Sequence, residues 1–275
     1  MIDTPEWMKA SSDRAGLPPE IDTSVPHSAR VYDYWLGGKD NFAVDREMGE
    51  ATIEAFPELP ELSRQNRAFL ARAVRFLAGD AGIRQFLDIG TGLPTANNTH
   101  EVAQSVAPES RIVYVDNDPL VLVHARALLT SRPEGETDYI EADLHDPDTI
   151  LENAARTLDL SKPVGLMLLS ILAHVSTYDE ARAVVRNLMS TLPSGSYLTV
   201  SDATNTSEAM REAERVWNQS ITPPYMLRSP EEIAGYFDGL ELVDPGVVPL
   251  TQWRPDDVTG VPDHVDAYGG VARKP

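Results

Sequence analysis

Glycine and aspartate residues follow an apolar segment at one point of this 275-residue sequence, where residues 86–92 read FLDIGTG. Glycines in the turn after a buried strand let the backbone reach positive φ and come close to a ligand. A second acid ends the next apolar run, where a carboxylate can accept two hydrogen bonds from a ribose diol. The spacing therefore predicts a nucleoside-binding turn built from Asp88, Gly90, Gly92 and Asp116.

A third acid, Asp143, follows the third apolar run. It resembles the acid that meets the adenine amino group in S-adenosylmethionine (SAM) enzymes, with the Leu144 amide beside a ring nitrogen. Asn117 joins the predicted cofactor set because it follows Asp116. The alternative ligand is a nicotinamide dinucleotide, but its binding turn would carry a third glycine at position 95, which is Thr95 here.

The secondary structure predicted from the sequence changes near residue 80. Residues 1–80 are predicted to form a helical arm and cap, with the first 26 residues largely irregular. Residues 81–275 predict alternating strands and helices, which form a parallel sheet covered on both faces. Strands are expected at 85–89, 111–116, 138–141, 164–169 and 196–200, with helices at about 98–106, 119–129 and 178–192.

Two further strands, at 240–243 and 264–271, have no helix between them and should pair antiparallel. The expected architecture is an α/β, Rossmann-like fold of the class I SAM-dependent methyltransferases. It would have seven strands, mostly parallel, with the last strand antiparallel and a helical N-terminal cap.

Four segments, 27–42, 64–70, 88–95 and 225–233, resemble an actinobacterial family of unknown function. That family is labelled S-adenosyl methyltransferase on fold grounds, and the likeness extends from about residue 22 to the C-terminus. The resemblance implies SAM as the cofactor but names no substrate. It also favours residues 28–42 as a lid hinged at Gly37 and Gly38, with Asn41 as a polar contact, although a packing helix capped at Gly37 would explain the same pattern.

Further candidates come from the helix before the first strand and from the ends of the fourth and fifth strands. Arg67 is one of four arginines on that helix and could pair with the SAM carboxylate. Ser170, His174 and Asp202 should lie at the substrate end of the crevice. His174 could act as a general base if the acceptor must lose a proton, and Asp202 as a base or an orienting acid. A structural histidine at a helix start is the alternative for His174.

The composition restricts the possible partners. The net charge of −20 argues against nucleic acid and against anionic membranes, and the absence of cysteine excludes a disulfide scaffold and a thiolate zinc site. No His spacing typical of a metal site occurs. We found no signal peptide, so a cytoplasmic location is expected.

The expected function is therefore SAM-dependent methylation of a small-molecule acceptor. Two alternatives stay open at this point. One is an NAD(P)-dependent Rossmann oxidoreductase, and the other is a SAM-binding regulatory protein without catalysis. The sequence predicts no oligomeric state.

Overall fold

A mixed sheet forms the centre of the computed structural model, which describes residues 22–95, 97–121, 123, 131–256, 260, 262 and 264–275. Its strands are β1 (Gln85–Ile89), β2 (Arg111–Asp116), β3 (Glu136–Glu141), β4 (Gly165–Leu169), β5 (Tyr197–Ala203), β6 (Glu241–Leu242), β7 (Val248–Pro249) and β8 (Ala267–Arg273). The order is β3-β2-β1-β4-β5-β8-β6, and β7 also pairs with β8. Strands β1 to β5 run parallel, and β8 runs antiparallel to β5, β6 and β7.

The central strands are apolar because both of their faces are covered. All five residues of β1 are buried, and β4 is the continuous apolar run GLMLL. Buried parallel strands have this continuous pattern, whereas a strand with one wet face alternates. The parallel arrangement brings the carboxyl ends of β1 to β4 to one edge of the sheet, where the predicted site residues lie.

The described helices flank this sheet. They are α1 (Ser28–Trp35), α2 (Ala43–Ala55), α3 (Leu59–Gly79), α4 (Thr99–Val106), α5 (Pro147–Ala154), α6 (Tyr178–Thr191), α7 (Glu208–Asn218) and α8 (Pro230–Gly235). As predicted, residues 22–80 contain helices and no strand. Helix α4 begins at a capping box of Asn98 and Glu101. The irregular arm over residues 1–21 and most of the predicted helix at 119–129 lie outside the described residues.

The fold class is confirmed, and the strand count is corrected from seven to eight among the described residues. The additional strand is β7, which is only two residues long and pairs Val248 with Gly269 of β8. It forms because the chain continues in the direction of β6 and meets the same edge of β8 again, three residues further along β8. The predicted antiparallel pair of terminal strands is present, with Glu241 opposite Arg273.

Helix α3 joins the helical region to the sheet. Its side chains Phe69 and Leu77 belong to the same buried cluster as Phe86 of β1 and Met167 of β4. The ring of Trp253 completes this cluster, with its centroid 5.4 Å from that of Phe69. The division of the chain at residue 80 stays a prediction. In the part of the chain that is described, no helix is long and apolar enough to span a bilayer.

The Trp253 ring is fully buried and packs against Phe69 and Phe76. We expect Trp253→Ala to destabilise the protein by about 3–5 kcal/mol, because it would leave a cavity where that ring lies. Urea unfolding of the variant measures the change. Leu242→Ala is the matched control, since that side chain is 48% exposed and its loss should cost less than about 0.5 kcal/mol. A loss below about 1 kcal/mol for Trp253→Ala would contradict the role of this ring.

Candidate active site

The carboxyl ends of β1 to β4 open into one continuous cavity of about 730 Å³. Cavities of roughly 300–1,000 Å³ hold small molecules and cofactors in proteins. The part that we call the strand-end half is lined by the turns after these strands, residues 88–92, 115–119, 142–145 and 169–171. The other part, the helical half, is lined by Tyr32, Trp35, Thr52, Leu59, Leu62, Ser63, Asn66, Leu70, His174, Ala203, Met210, Ala213, Glu214, Trp217, Ile221, Thr222, Pro223, Tyr225 and Leu227.

The turn after β1 depends on its two glycines. Gly90 has a φ of +74°, and a Cβ placed on it would lie 2.5 Å from the Ile171 side chain. Gly92 has a φ of +65°, a backbone conformation that side chains disfavour. The Gly92 N–H donates to Asp116 Oδ2 at 2.9 Å, so the turn is locked to the end of β2.

Asp116 lies at the end of β2 and lines the cavity with only 8% of its surface exposed. Its Oδ1 accepts the Asp118 N–H at 2.9 Å, and burial raises the pKa of its carboxyl. Each carboxylate oxygen has a second lone pair, so Asp116 can still accept hydrogen bonds from a ligand. The neighbouring Asp118 Oδ2 lies 3.0 Å from His27 Nδ1, which connects this turn to the start of α1.

Asp88 is the most perturbed acid of the strand-end half. Burial raises the pKa of its carboxyl to about 6. Its Oδ2 accepts the Thr99 hydroxyl at 2.6 Å, which favours the ionised form and offsets part of that effect. Desolvation of this kind disfavours the charged form until an opposite charge arrives. Asp88 is therefore suited to meet a cationic ligand.

The turn after β3 stands at the mouth of the cavity. The Asp143 side chain is 57% exposed, and its Oδ1 accepts from the His145 backbone N–H and lies 2.7 Å from His145 Nδ1. The hydrogen bond from that backbone N–H is the main reason that the Asp143 pKa is lowered. Leu144 is buried and Asn117 exposed, and both line the cavity.

Arg67 is the one member of the four-arginine set on α3 that lines the cavity. Its Nη2 donates to the Asn97 carbonyl at 3.1 Å. The other three pair elsewhere. Arg64 pairs with Glu61, Arg75 pairs with Asp256, and Arg72 donates to the Trp253 and Leu250 carbonyls.

A buried amide on α3 links the two halves, and the sequence interpretation did not select it. Asn66 Nδ2 donates to the Tyr32 hydroxyl and to Ser170 Oγ, both at 3.1 Å, and its Oδ1 accepts from Ser201 Oγ at 2.6 Å. Ser170 itself has a φ of +57°. The signal was present, because Asn66 falls on the apolar stripe of α3 between Leu62 and Phe69, and a polar residue there needs buried partners.

Residues 28–42 cover the cavity only in part. Tyr32 and Trp35 of α1 line the helical half, as the lid prediction requires. Asn41 does not line the cavity, because its Nδ2 donates to Asp33 Oδ2 at 2.8 Å on the far side of the glycine turn. Gly37, with a φ of +80°, follows the end of α1, as the packing alternative expects.

His174 lines the helical half from a short 3₁₀ turn, Leu172–His174, after β4. Its ring meets Tyr225 edge to face, with centroids 5.2 Å apart. Burial lowers the pKa of the imidazole to about 4, and the charge on His27 adds to this effect. The ring is therefore neutral at pH 7, and it is a weak base.

Asp202 has a fully buried side chain that is not among the groups lining the cavity, and its contact with a substrate stays a prediction. It projects from β5 among other buried groups. Burial raises the pKa of its carboxyl to about 8, and the nearby Arg228 and the Ala173 backbone N–H offset that effect only in part.

These residues fit a nucleoside cofactor. The glycine turn lets a ligand come close to the backbone, and Asp116 can accept hydrogen bonds from ribose hydroxyls. Asp88 can interact favourably with a positive charge on the ligand. Among the described residues, no three His, Asp or Glu side chains are arranged to hold a metal ion.

Comparison with known proteins gives a consistent result. The family model described as S-adenosyl methyltransferase matches residues 14–275. A DUF574 family protein from Streptomyces avermitilis is 49% identical, with 93% of this chain and 100% of that chain covered and a TM-score of 0.89. A protein from Thermobifida fusca, described as a candidate methyltransferase, is 44% identical, with 94% and 98% covered and a TM-score of 0.86.

A more distant structure shares the fold alone. The magnesium protoporphyrin IX methyltransferase of Synechocystis, solved with S-adenosylhomocysteine (SAH), is 12% identical, with 89% of this chain and 93% of that chain covered and a TM-score of 0.51. No curated protein matches this sequence significantly.

We expect Asp202→Asn to stabilise the protein at neutral pH. Because the folded pKa of about 8 lies above the ordinary 3.8, the folded protein keeps this proton between about pH 4 and pH 8 while the unfolded chain releases it. Wild-type stability therefore falls as pH rises through this interval, and the variant lacks that loss. The gain should be on the order of 4 kcal/mol at pH 7 and near zero at pH 4, measured by urea unfolding.

Glu152→Gln, at an exposed position on α5, is the control and should change neither value. A destabilised Asp202→Asn at pH 7 would mean that Asp202 is ionised and paired, contrary to its raised pKa.

Proposed function

Because this chain belongs to the S-adenosyl methyltransferase family, we propose that its cavity holds SAM in the strand-end half and a small-molecule methyl acceptor in the helical half. The chain is a SAM-dependent methyltransferase. The observation that supports the proposal is that one cavity extends from the glycine turn to Trp217, so two ligands can lie next to each other in it.

In the strand-end half, each proposed contact rests on the chemistry of a cavity-lining group. The carboxylate of Asp116 would accept hydrogen bonds from the ribose hydroxyls, while Gly90 and Gly92 leave the backbone open to close approach. Asp143 and Leu144 would meet the adenine ring, with Asn117 beside them. Arg67 would pair with the carboxylate of the methionine part.

When bound, SAM supplies an electrophilic methyl group on a positively charged sulfur. The work of the protein is then positioning, since two reacting atoms held about 3–3.5 Å apart react far faster than free partners. Ser170, fixed by Asn66, would shape the boundary between the halves. Helix α1 would cover both ligands and exclude water through Tyr32 and Trp35. We omit Asn41 from the proposed contacts.

Of the groups that line the helical half, His174 is the one whose chemistry comes closest to that of a general base. Neutral at pH 7, it would accept a hydrogen bond from the acceptor and orient it, rather than remove a strongly held proton. We propose no catalytic role for Asp202.

A small-molecule acceptor in the cytoplasm fits the charge of −20, which disfavours contact with nucleic acids and anionic membranes. The oxidoreductase alternative is disfavoured by family membership and by Thr95 in place of a third glycine. Calorimetry with SAM and with NAD⁺ separates the two, and binding of NAD⁺ without SAM would overturn the proposal.

We expect Asp116→Asn to bind SAM about 10- to 100-fold more weakly, because it removes a charged acceptor from the ribose site at a cost of about 1.4–3 kcal/mol. Isothermal calorimetry measures the affinity, and the melting temperature checks that the variant is folded. Asp148→Asn, on an exposed face of α5, is the matched control and should bind like wild type. An unchanged affinity in folded Asp116→Asn would remove Asp116 from the site.

The affinity for SAM should rise with pH through about 6. Below that value Asp88 is protonated in the free protein, and a bound cation favours its ionised form. Affinity at pH 5 should therefore be up to about 10-fold weaker than at pH 7.5. In Asp88→Asn, which can still accept from Thr99, this dependence should disappear. The same slope in both proteins would show that another group causes it.

A further inference from the structure

A wall of aromatic side chains forms one side of the helical half. The ring centroids of Trp35 and Trp217 lie 5.5 Å apart, and those of Trp217 and Tyr225 lie 6.1 Å apart. His174 extends the wall beside Tyr225. These rings come from α1, α7 and two loops, so they are brought together only by the fold. Aromatic faces that line a cavity bind flat rings by stacking and bind cations through their π electrons.

A single ionisable acid interrupts this apolar surface. Glu214 of α7 lines the helical half, and its Oε1 accepts the Leu227 N–H at 2.8 Å, which fixes the carboxylate against the loop. Among the described residues assigned to this half, it is the only Asp, Glu, Lys or Arg, while Asp22, Arg30 and Arg67 line the rest of the same cavity. Arg67, a cation in the same cavity, donates to the Asn97 carbonyl. The Glu214 carboxylate therefore favours a cationic or hydrogen-bond-donating group at its own position on α7.

The nature of the available base restricts the acceptor atom. A hydroxyl acceptor must lose a proton, which needs a base of sufficient strength. The imidazole of His174 is too weak for that task because burial holds its pKa at about 4. A basic amine is mostly protonated at pH 7 and must also lose a proton, but it releases that proton to water far more readily than a hydroxyl does, and the neutral nitrogen then has its lone pair available.

We propose that the acceptor is a small molecule with a flat aromatic ring and a basic nitrogen, and that this nitrogen is methylated beside Glu214. The inference rests on the proposed function and adds the substrate class to it. The ring packs against Trp35, Trp217 and Tyr225, and the nitrogen donates an N–H hydrogen bond to the Glu214 carboxylate.

The transfer balances without a base from the protein, because the ammonium form of the acceptor releases one proton to water before the nitrogen attacks. The nitrogen lone pair forms the new N–C bond while the S–C bond of SAM breaks, and the electron pair of that bond stays on sulfur. The positive charge thereby passes from sulfur to nitrogen, where Glu214 and the aromatic faces stabilise it. The N-methylated product leaves as an ammonium ion, so the one proton released is the proton lost before attack.

Three probes with one ring test this class: 2-naphthylmethylamine, 2-naphthalenemethanol and 2-naphthoate. Calorimetry on the full chain saturated with SAH should show the amine binding at least 10-fold more tightly than the alcohol or the acid. Glu214→Gln keeps an oxygen for the Leu227 N–H and should weaken amine binding about 10-fold while leaving the alcohol unchanged. Glu212→Gln is the control, since Glu212 pairs with Arg215 at the exposed face of the same helix.

With SAM in place of SAH, mass spectrometry should find the N-methylated amine and no methyl ether. Equal binding of the three probes, binding of none of them, an ether product, or equal effects of the two glutamine variants would each overturn the proposal. The saturation step separates this inference from the proposed function. Failure of SAH to bind would contradict the function itself, whereas SAH binding without amine preference would contradict only the acceptor class.

Discussion

The cavity depends on one buried amide. Asn66 donates two hydrogen bonds and accepts one, and its partners belong to α1, to the end of β4 and to β5. Because Asn66 is only 5% exposed, the loss of any one partner would leave a largely buried polar group without that hydrogen bond. The position of the covering helix relative to the sheet edge is thus fixed by hydrogen bonds whose geometry is directional. Apolar packing alone would allow it to slide.

The fold and the strand-end half could be predicted because their signals are local. Apolar runs, a glycine turn and an acid at each strand end lie within short segments, and parallel strands necessarily bring those ends together. The arrangement of Asp143 was less predictable, since its exposure depends on the contact with His145. The eighth strand was missed because two residues carry no periodic pattern.

The helical half was largely beyond sequence reasoning. Trp35, Trp217 and Tyr225 belong to separate segments with no common motif, and only the packing of α1 against α7 and its following loop places them together. The surroundings of Asp202 were hard to predict for a related reason. It lies near the end of β5, and the side of the sheet on which a strand side chain emerges changes with each residue, so the sequence alone does not say whether it faces the cavity or the core.

The pairing of β5 with β8 has a consequence for how this protein can diversify. Ala203 and Ala267 face each other in the sheet, and Thr204 donates to the Asp266 carbonyl, so the chain between them leaves and returns at one point. That excursion, residues 204–266, carries Glu214, Trp217 and Tyr225. Its last part contains β6 and β7, which pair with β8, but the part between α7 and α8 lies outside the ladder. Extending a loop there costs little entropy and leaves the ladder unchanged. New acceptor preferences can therefore evolve in this excursion while the cofactor half is inherited intact.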